Sequence, residues 1–273
     1  MVANADAAIL HRIPSVCPWM DPQLSRLPGL KPIALGDWFV KDAGYAQQMG
    51  LRDKLLAERR SVVTAGLDAV AGAATELLDA VMTICAETHG FTVEDNSFRR
   101  CDGVHVPVSG VHPLVVCARL VQEDLLILTR DEAGDFVLRG GVLCFPAFWS
   151  LAEKLGRPMR DIHRPVAPYT DGLDDRISRI LSRLDPDRPL MRANLLIYTD
   201  PNLHQPAKEG AIRVIDQTAQ RYVRVERQVL RLLPKTGALV FSIHTSMTRV
   251  QDLPAAARHS LRETEAWRAL GAG

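Results

Sequence analysis

The segment RYVRVERQVLRLL, residues 221–233, places several chemically active side chains in a pattern typical of a β-strand. Because successive side chains of a strand point to opposite faces, Arg224, Glu226 and Gln228 share one face, while Arg227 lies among valines on the other. A guanidinium, a carboxylate and an amide are costly in a core unless they pair with each other or with a ligand. Two interpretations follow: a solvated face with a cross-strand ion pair, or an anion clamp beside a positioned acid or base.

A second candidate is His163, which stands between a helix-like segment and a proline in WSLAEKLGRPMRDIHRPV, residues 149–166. Pro165 and Pro168 stiffen the backbone that follows it. An imidazole held there can present one ring nitrogen to a metal or cofactor, and histidine is a common axial ligand of haem iron. The residue pattern by itself leaves this role open against that of a structural histidine with hydrogen-bonded ring nitrogens.

Other motifs carry less chemistry. The chain has no glycine-rich dinucleotide or phosphate loop, no nucleophile elbow and no HExxH motif. The RGGV at residues 139–142 indicates a turn, a bulge or a close backbone approach rather than a phosphate site. Cys101, His105 and His112 have a spacing that fits no common structural zinc site. The remaining histidines with polar or terminal neighbours are predicted to lie at the surface: His11, His89, His204 and His259.

The composition limits the classes of protein to which the chain can belong. The 273 residues are 47% hydrophobic and 24% charged with a net charge of +1, which is typical of a globular chain and argues against nucleic-acid or membrane-surface binding. No run reaches the roughly 18 apolar residues of a membrane helix, and the N-terminus does not resemble a signal peptide. The five widely spaced cysteines favour reduced thiols in a cytoplasmic protein.

The elements that must position these residues follow from hydrophobic periodicity. An irregular N-terminal segment leads into a long helix through Cys85, which His89 and Gly90 close. The short apolar runs PLVVCARLV, DLLILTRD and FVLRGGVLCF predict antiparallel strands. The segments FWSLAEKLG and TDGLDDRISRILSRLD then predict a helical insert, in which Thr170 or Asp171 caps the second helix.

Three further strands follow, MRANLLIY, RYVRVERQVLRLL and GALVFSIHTSM, with a PKTG turn between the last two. A terminal helix from about Leu253 to Leu270 closes the chain. Strands on either side of a helical insert predict an α+β fold with an antiparallel sheet and helices on one face. We expect residues 1–90 to form an N-terminal extension and residues 91–273 the main domain, within one compact unit.

Four long segments together resemble the haem-dependent oxidative N-demethylase family. They are DWFVKDAGYAQQMGLRDKLL, LVQEDLLIL, LCFPAFWSLAEKLGRPMRDIHRPV and RVERQVLRLLPKTGALVFSIHT. The resemblance implies a PAS-like haem domain, preceded by a long N-terminal helix and closed by a C-terminal helix. It implies haem b as cofactor and a monooxygenase-type reaction in which O2 is used to remove a methyl group from a small N-methyl amine, releasing formaldehyde. It also implies electrons from NADPH through a separate flavin and iron–sulfur reductase.

The same resemblance suggests roles for residues. His163 becomes the candidate proximal ligand of the iron, with His244 as the alternative. The predicted cofactor-binding arginines are Arg192, Arg224 and Arg227, of which Arg192 and Arg224 are expected to pair with haem propionates. The predicted catalytic or pocket residues are Glu226, Arg224, Thr245 and Tyr169, with Glu226 attracting a protonated amine or moving protons.

Two departures from the family pattern put the substrate in question. Leu195 stands where Trp is common in the family, and His244 stands where Arg is common. Demethylation is therefore weighed against a haem-binding PAS-like sensor or carrier without turnover, and against a relative that has lost haem. The absence of a visible output module in this sequence favours the enzyme. The expected partners are the amine, O2 and the reductase, without nucleic acid or membrane, and an oligomer is possible.

Overall fold

The computed structural model describes residues 8–26, 28–163, 177, 179–212, 216 and 218–269. Their architecture is α+β, as predicted, with one large antiparallel sheet and a small three-stranded sheet. The helices are α1 Tyr45–Glu58, α2 Arg60–Val63, α3 Ala71–Thr88, α4 Pro113–Ala118, α5 Leu151–Lys154 and α6 Met159–His163, followed by Ala255–Leu261 and Glu265–Arg268. The strands are β1 Lys31–Pro32, β2 Thr64–Ala65, β3 Thr92–Glu94, β4 Ser97–Arg99, β5 His105–Pro107, β6 Asp124–Arg130, β7 Phe136–Val142, β8 Leu190–Tyr198, β9 Tyr222–Leu232 and β10 Leu239–Arg249.

The large sheet has the order β1-β8-β9-β10-β6-β7-β2, and β9 and β10 pair over their whole length. One face of this sheet carries Val223, Val225 and Val229 and packs in a single core with residues of α1, α3 and α4. We call it the helix face. The opposite face carries Leu230 and Ile243 and packs against residues of α5 and of the 177–184 region. We call it the insert face.

The N-terminal helical region differs from the predicted single helix. Two helices, α1 and α3, are separated by α2, the short strand β2 and a turn at Gly66. Gly66 has a φ of +61°, and a Cβ there would lie 1.9 Å from the carbonyl oxygen of Arg139. Only glycine permits this approach, and it allows the segment before Gly66 to pair with β7 as the strand β2. The predicted end at His89 and Gly90 is confirmed, since α3 stops at Thr88 and Gly90 has a φ of +70°.

The glycine pair in RGGV, residues 139–142, lies where β7 meets the turn at Gly66. The RGGV segment is a close backbone approach, as predicted, because a Cβ on Gly140 would lie 2.5 Å from the Gly66 carbonyl oxygen.

The strand predicted for PLVVCARLV is wrong: residues 113–118 form α4. Pro113 occupies the first turn, and the His112 side chain accepts a hydrogen bond from the Leu114 N–H, which together start a helix despite the β-branched residues. Most of TDGLDDRISRILSRLD, including its predicted cap, lies outside the described residues.

The C-terminal region also differs from its prediction. In place of one helix from about Leu253 to Leu270, the described chain has two short helices, Ala255–Leu261 and Glu265–Arg268. Thr264 separates them, and its hydroxyl accepts a hydrogen bond from the Trp267 N–H. This cap starts a new helix at the point where the first one ends.

One helical stretch, Asp68–Thr88, is long and apolar enough to cross a membrane by length and composition. The expectation that no segment would meet this test was therefore too strict. Half of the apolar window is buried inside the fold, as in core helices of soluble proteins, so the stretch is weak support for a membrane span.

A buried ion pair joins the N-terminal helices to the sheet. The Nη1 atom of Arg52 lies 2.8 Å from Oδ1 of Asp124, and neither side chain is exposed to solvent. The same guanidinium donates to the carbonyl oxygens of Ala118 and Glu123. Asp124 in turn accepts hydrogen bonds from the backbone N–H groups of Cys144 and Phe145, at 2.6 and 2.9 Å. Each nitrogen of the guanidinium and each oxygen of the carboxylate therefore has a hydrogen-bond partner, which offsets the cost of burying two charges.

Replacing Arg52 by Met is expected to lower the free energy of unfolding by about 3–5 kcal/mol, because it leaves the Asp124 carboxylate buried without its counter-ion. Urea denaturation followed by circular dichroism measures this. Arg60→Met, on the exposed start of α2, is the matched control and should change stability by less than about 0.5 kcal/mol. Equal effects of the two substitutions would contradict the role given to the pair.

Candidate functional site

A row of polar side chains crosses the insert face from β8 to β10. In the strand register Glu226 pairs with Asn194 of β8 and with Thr245 of β10, so the three side chains lie side by side. Arg224 and Gln228 flank Glu226 along β9, as the strand alternation predicted. The sheet therefore brings together four of the polar groups that the sequence singled out.

This polar row is buried rather than solvated. Glu226 is 5% exposed and Arg224 is 0% exposed. The Nε atom of Arg224 donates to Oε1 of Glu226 at 3.3 Å, and Nε2 of Gln228 donates to Oε2 of Glu226 at 3.2 Å. The ion pair lies within one strand and not across strands, so the predicted solvated face with a cross-strand pair is wrong. Arg224 and Gln228 both form hydrogen bonds with Glu226 inside the fold.

Arg224 also ties two loops over the row. Its Nη1 donates to the carbonyl oxygen of Leu203 at 3.0 Å, and its Nη2 donates to that of Phe145. The guanidinium carbon lies 5.7 Å from the centre of the Tyr198 ring. In this structure the guanidinium is therefore directed at main-chain oxygens and Glu226, and its predicted role at a haem propionate stays a prediction.

The two loops that Arg224 holds are joined to each other. The Phe148 N–H donates to the carbonyl oxygen of Gln205 at 2.9 Å, and Nδ1 of His204 lies 2.7 Å from the carbonyl oxygen of Cys144. Phe148 has a φ of 64°, which is unusual for a residue with a bulky side chain. Such conformations persist where the surrounding structure holds them, and they cluster at functional sites. No local sequence pattern predicts this loop geometry, because it depends on contacts between distant segments.

Two side chains of the row differ in their hydrogen bonding. Arg192 is half-buried and donates from Nη2 to Oδ1 of Asn194 at 2.7 Å. The Thr245 hydroxyl is fully buried and has no hydrogen-bond partner among the described residues. A buried hydroxyl without a partner is costly, so its persistence marks a place where a ligand or water can bind.

Two other predicted site residues lie on the helix face. Arg227 donates to the carbonyl oxygens of Trp38 and Asp37. His244, fully buried, has Nε2 3.0 Å from Oδ2 of Asp42 and Nδ1 3.7 Å from Oε1 of Glu123. The sheet therefore separates Arg227 and His244 from Glu226. The roles of Arg227 at a cofactor and of His244 as an alternative iron ligand stay predictions.

His244 belongs to a buried network centred on Asp42. The Nε2 atom of His11 also lies 3.0 Å from Oδ2 of Asp42, and Nε2 of Gln122 donates to Oδ1. Burial raises the pKa of Asp42, but the neighbouring His11 and His244 outweigh this and hold the pKa well below its ordinary value. The surface location predicted for His11 is therefore wrong, as it is for His89, whose pKa burial lowers to about 4.

The remaining predicted residues fall at or beyond the limits of the described chain. His163 ends α6, next to Ile162, which packs on the insert-face core, but its side chain is not among those described. Tyr169 lies outside the described residues. Among the described residues no group of three or more histidine, cysteine or acidic side chains is arranged to hold a metal ion. A groove of about 770 Å³ lies elsewhere, at the start of β8, and is lined partly by Arg183 and Arg188.

Thr245→Val removes the unpartnered hydroxyl while keeping the shape of the side chain. In the protein without ligand we expect unchanged stability or a gain of about 1 kcal/mol, because no hydrogen bond is lost. Thr236→Val is the control, since the Thr236 hydroxyl donates to Glu76 at 2.7 Å and its loss should cost about 1 kcal/mol. Chemical denaturation measures both, and a clear loss of stability in Thr245→Val would mean that the hydroxyl has a partner.

Asp42→Asn should remove a stabilisation that depends on pH. Because the folded pKa of Asp42 is depressed, the charged carboxylate stabilises the fold above the unfolded pKa of about 3.9, and this contribution is lost as pH falls through the folded pKa. We expect a loss of about 2 kcal/mol at pH 7, shrinking below about pH 4. Denaturation curves of both proteins from pH 7 to pH 3 measure the difference, and a constant difference would contradict the assignment.

A sequence model described as "Haem-dependent oxidative N-demethylase, alpha subunit-like" matches residues 29–269 of the chain. The matched region includes both loops, the polar row of the insert face and the Asp42 network except His11. It covers most of the sequence and agrees with the resemblance of the four segments. The chain therefore belongs to the family of proteins like the alpha subunit of haem-dependent oxidative N-demethylase.

Proposed function

We propose that the protein is a haem-dependent oxidative enzyme that uses O2 to remove a methyl group from a small N-methyl amine, releasing formaldehyde. Family membership supports the cofactor and the class of reaction. The observation on this chain that supports the proposal is the buried polar row. In it, Glu226 lies beside the Thr245 hydroxyl, which has no hydrogen-bond partner in the described part of the chain. A buried carboxylate and a free hydroxyl are groups that recognise a small cationic amine.

The insert face is compatible with haem. Its core consists mostly of leucines, with Phe136 and Ile243, and such side chains suit a flat apolar ring. The polar row adjoins this apolar region on the same strands, since Leu230 follows Gln228 on β9, and it supplies groups for the polar edge. Haem b would supply the oxygen chemistry, and the protein would bind, orient and exclude water. We propose a PAS-like haem domain in this region on the same grounds.

Residues of the chain would bind the amine, accept its proton and exclude water. Glu226 would attract the protonated amine and accept a proton from it, while Gln228 fixes the carboxylate through the bond to Oε2. Arg224 would keep the loops at Phe145 and Leu203 closed over the row, which excludes water from the reaction. Arg192, which bonds to Asn194 of the row, would meet a carboxylate of the cofactor.

The proposal also includes partners and location. The words "alpha subunit-like" in the family description support a partner protein. We propose that this partner includes a reductase that passes electrons from NADPH through flavin and iron–sulfur centres. The reduced-thiol pattern of the five cysteines supports a cytoplasmic location.

The cofactor is tested by ultraviolet–visible spectra of the purified protein as isolated, reduced, and reduced with carbon monoxide. We expect a Soret band that shifts as a histidine-ligated haem does, followed by O2-dependent formaldehyde release from one or more members of a panel of methylated amines. Absence of a Soret band, even when haem is supplied during expression, would overturn the proposal. A normal haem spectrum without turnover of any amine would favour the sensor or carrier.

Glu226→Gln then tests the site. We expect formaldehyde release to fall by about 100-fold or more, because the charge and the proton acceptor are lost. The haem spectrum should be retained. Glu132→Gln, on the exposed turn between β6 and β7, is the matched control and should leave both measurements unchanged.

A further inference from the structure

The groove at the start of β8, with a volume of about 770 Å³, is lined by three arginines. They are Arg179, Arg183 and Arg188, and all three are exposed to solvent. A turn closed by the hydrogen bond from the Arg188 N–H to the Asp185 carbonyl oxygen, at 3.1 Å, brings Arg188 to the same groove as the other two. We call this surface the arginine groove.

The positive charge of the arginine groove is only partly neutralised. Arg183 and Arg188 form no ion pair with any residue that the structure describes. Asp185 is the only acidic side chain among the described residues that line the groove, so three positive charges face one negative charge. The excess of two positive charges is local, because the net charge of the whole chain is only +1.

The apolar wall of the arginine groove is the outer side of the insert-face core. Leu184 and Leu190 line the groove, and Leu184 also belongs to that core while Leu190 packs against it. Leu181, between two of the arginines in the chain, is buried in the same core. The segment therefore carries arginines on its outer side, and its inner side covers the region proposed for haem.

Arginines around an apolar centre are typical of a surface that binds another protein. Guanidinium groups recognise carboxylates through paired hydrogen bonds, so the fitting partner has an acidic surface. Proteins that exchange electrons form small and transient interfaces, and attraction between opposite charges speeds their association. No aromatic side chain lines the described part of the groove, so it lacks the stacking groups typical of a site for single-stranded nucleic acid.

We propose that the arginine groove is the docking surface for an acidic electron-donor protein, whose carboxylates pair with Arg183 and Arg188 while Arg179 lies beside them. This inference rests on the proposed function, in which electrons reach the haem from a separate protein. The words "alpha subunit-like" in the family description support such a partner. Docking at the groove places the donor against the segment that covers the insert-face core, so electrons enter the haem region from that side.

The probe is an acidic plant-type [2Fe–2S] ferredoxin, kept reduced by NADPH and its flavoprotein reductase. Under carbon monoxide, one electron passes from each reduced ferredoxin to the ferric iron, and the ferrous carbon-monoxide spectrum reports the rate. In the full-length protein with haem, the double substitution Arg183→Glu with Arg188→Glu should lower the second-order rate constant by about 10-fold or more at low ionic strength. The difference should shrink as salt is added.

Binding is measured separately from electron transfer. Isothermal titration calorimetry with the oxidised ferredoxin should show a dissociation constant that rises by about 10-fold in the same double variant. The matched control is Arg12→Glu with Arg262→Glu, since both arginines are exposed, lie outside the groove and change the net charge by the same amount. Reduction by dithionite should occur at the same rate in all three proteins.

Equal losses in the two double variants would overturn the docking assignment, because net charge alone would then explain the effect. The assignment would also be overturned if dithionite reduced the unsubstituted protein but ferredoxin did not, or if phosphate inhibited at the same ionic strength at which sodium chloride had no effect, which indicates a small-anion site. In each of these cases the proposed function stands. Absence of a haem spectrum would overturn both. If the double glutamate variant does not fold, Arg183→Gln is measured instead, with an expected fall of about 3-fold.

Discussion

The buried ion pair between Arg52 and Asp124 sets the geometry on which the candidate site depends. Arg52 anchors α1 to the first residue of β6, and Asp124 then uses its carboxylate to hold the N–H groups of Cys144 and Phe145. The carbonyl oxygens of these same two residues contact His204 and Arg224. A continuous chain of charged and main-chain hydrogen bonds thus connects an N-terminal helix to the polar row. Each contact fixes the next, because buried donors and acceptors tolerate few alternative arrangements.

The central sheet separates the Asp42 network on its helix face from the polar row on its insert face. On the helix face, His244 and Asp42 form a network with His11 that ties the N-terminal segment to β10, where the His11 N–H also donates to the Met247 carbonyl oxygen at 2.7 Å. Its contacts join the N-terminal segment to the sheet. On the insert face, Glu226 and its neighbours lie beside the Thr245 hydroxyl, which has no hydrogen-bond partner among the described residues.

Most polar groups of the candidate site have hydrogen-bond partners, and two of its buried atoms do not. Arg224 uses its guanidinium on Glu226 and two loop carbonyls, and both oxygens of Glu226 have donors. Thr245 Oγ1 and His204 Nε2 are buried without partners among the described residues, and both belong to the insert-face row and its covering loops. A protein retains such groups where ligand binding repays their cost.

The sequence by itself determined the α+β class and the alternation that puts Arg224, Glu226 and Gln228 on one face, and it narrowed RGGV to a turn, a bulge or a close backbone approach. These follow from local periodicity and from the unique geometry of glycine. It failed at α4, where Pro113 and a histidine cap override strand propensity, and at the break between α1 and α3. Only the tertiary structure decided that the polar row is buried, that His244 lies on the opposite face, and that His204 has a free nitrogen. Burial and tautomer depend on contacts between residues far apart in the chain, such as His204 with Cys144, and no local pattern encodes them.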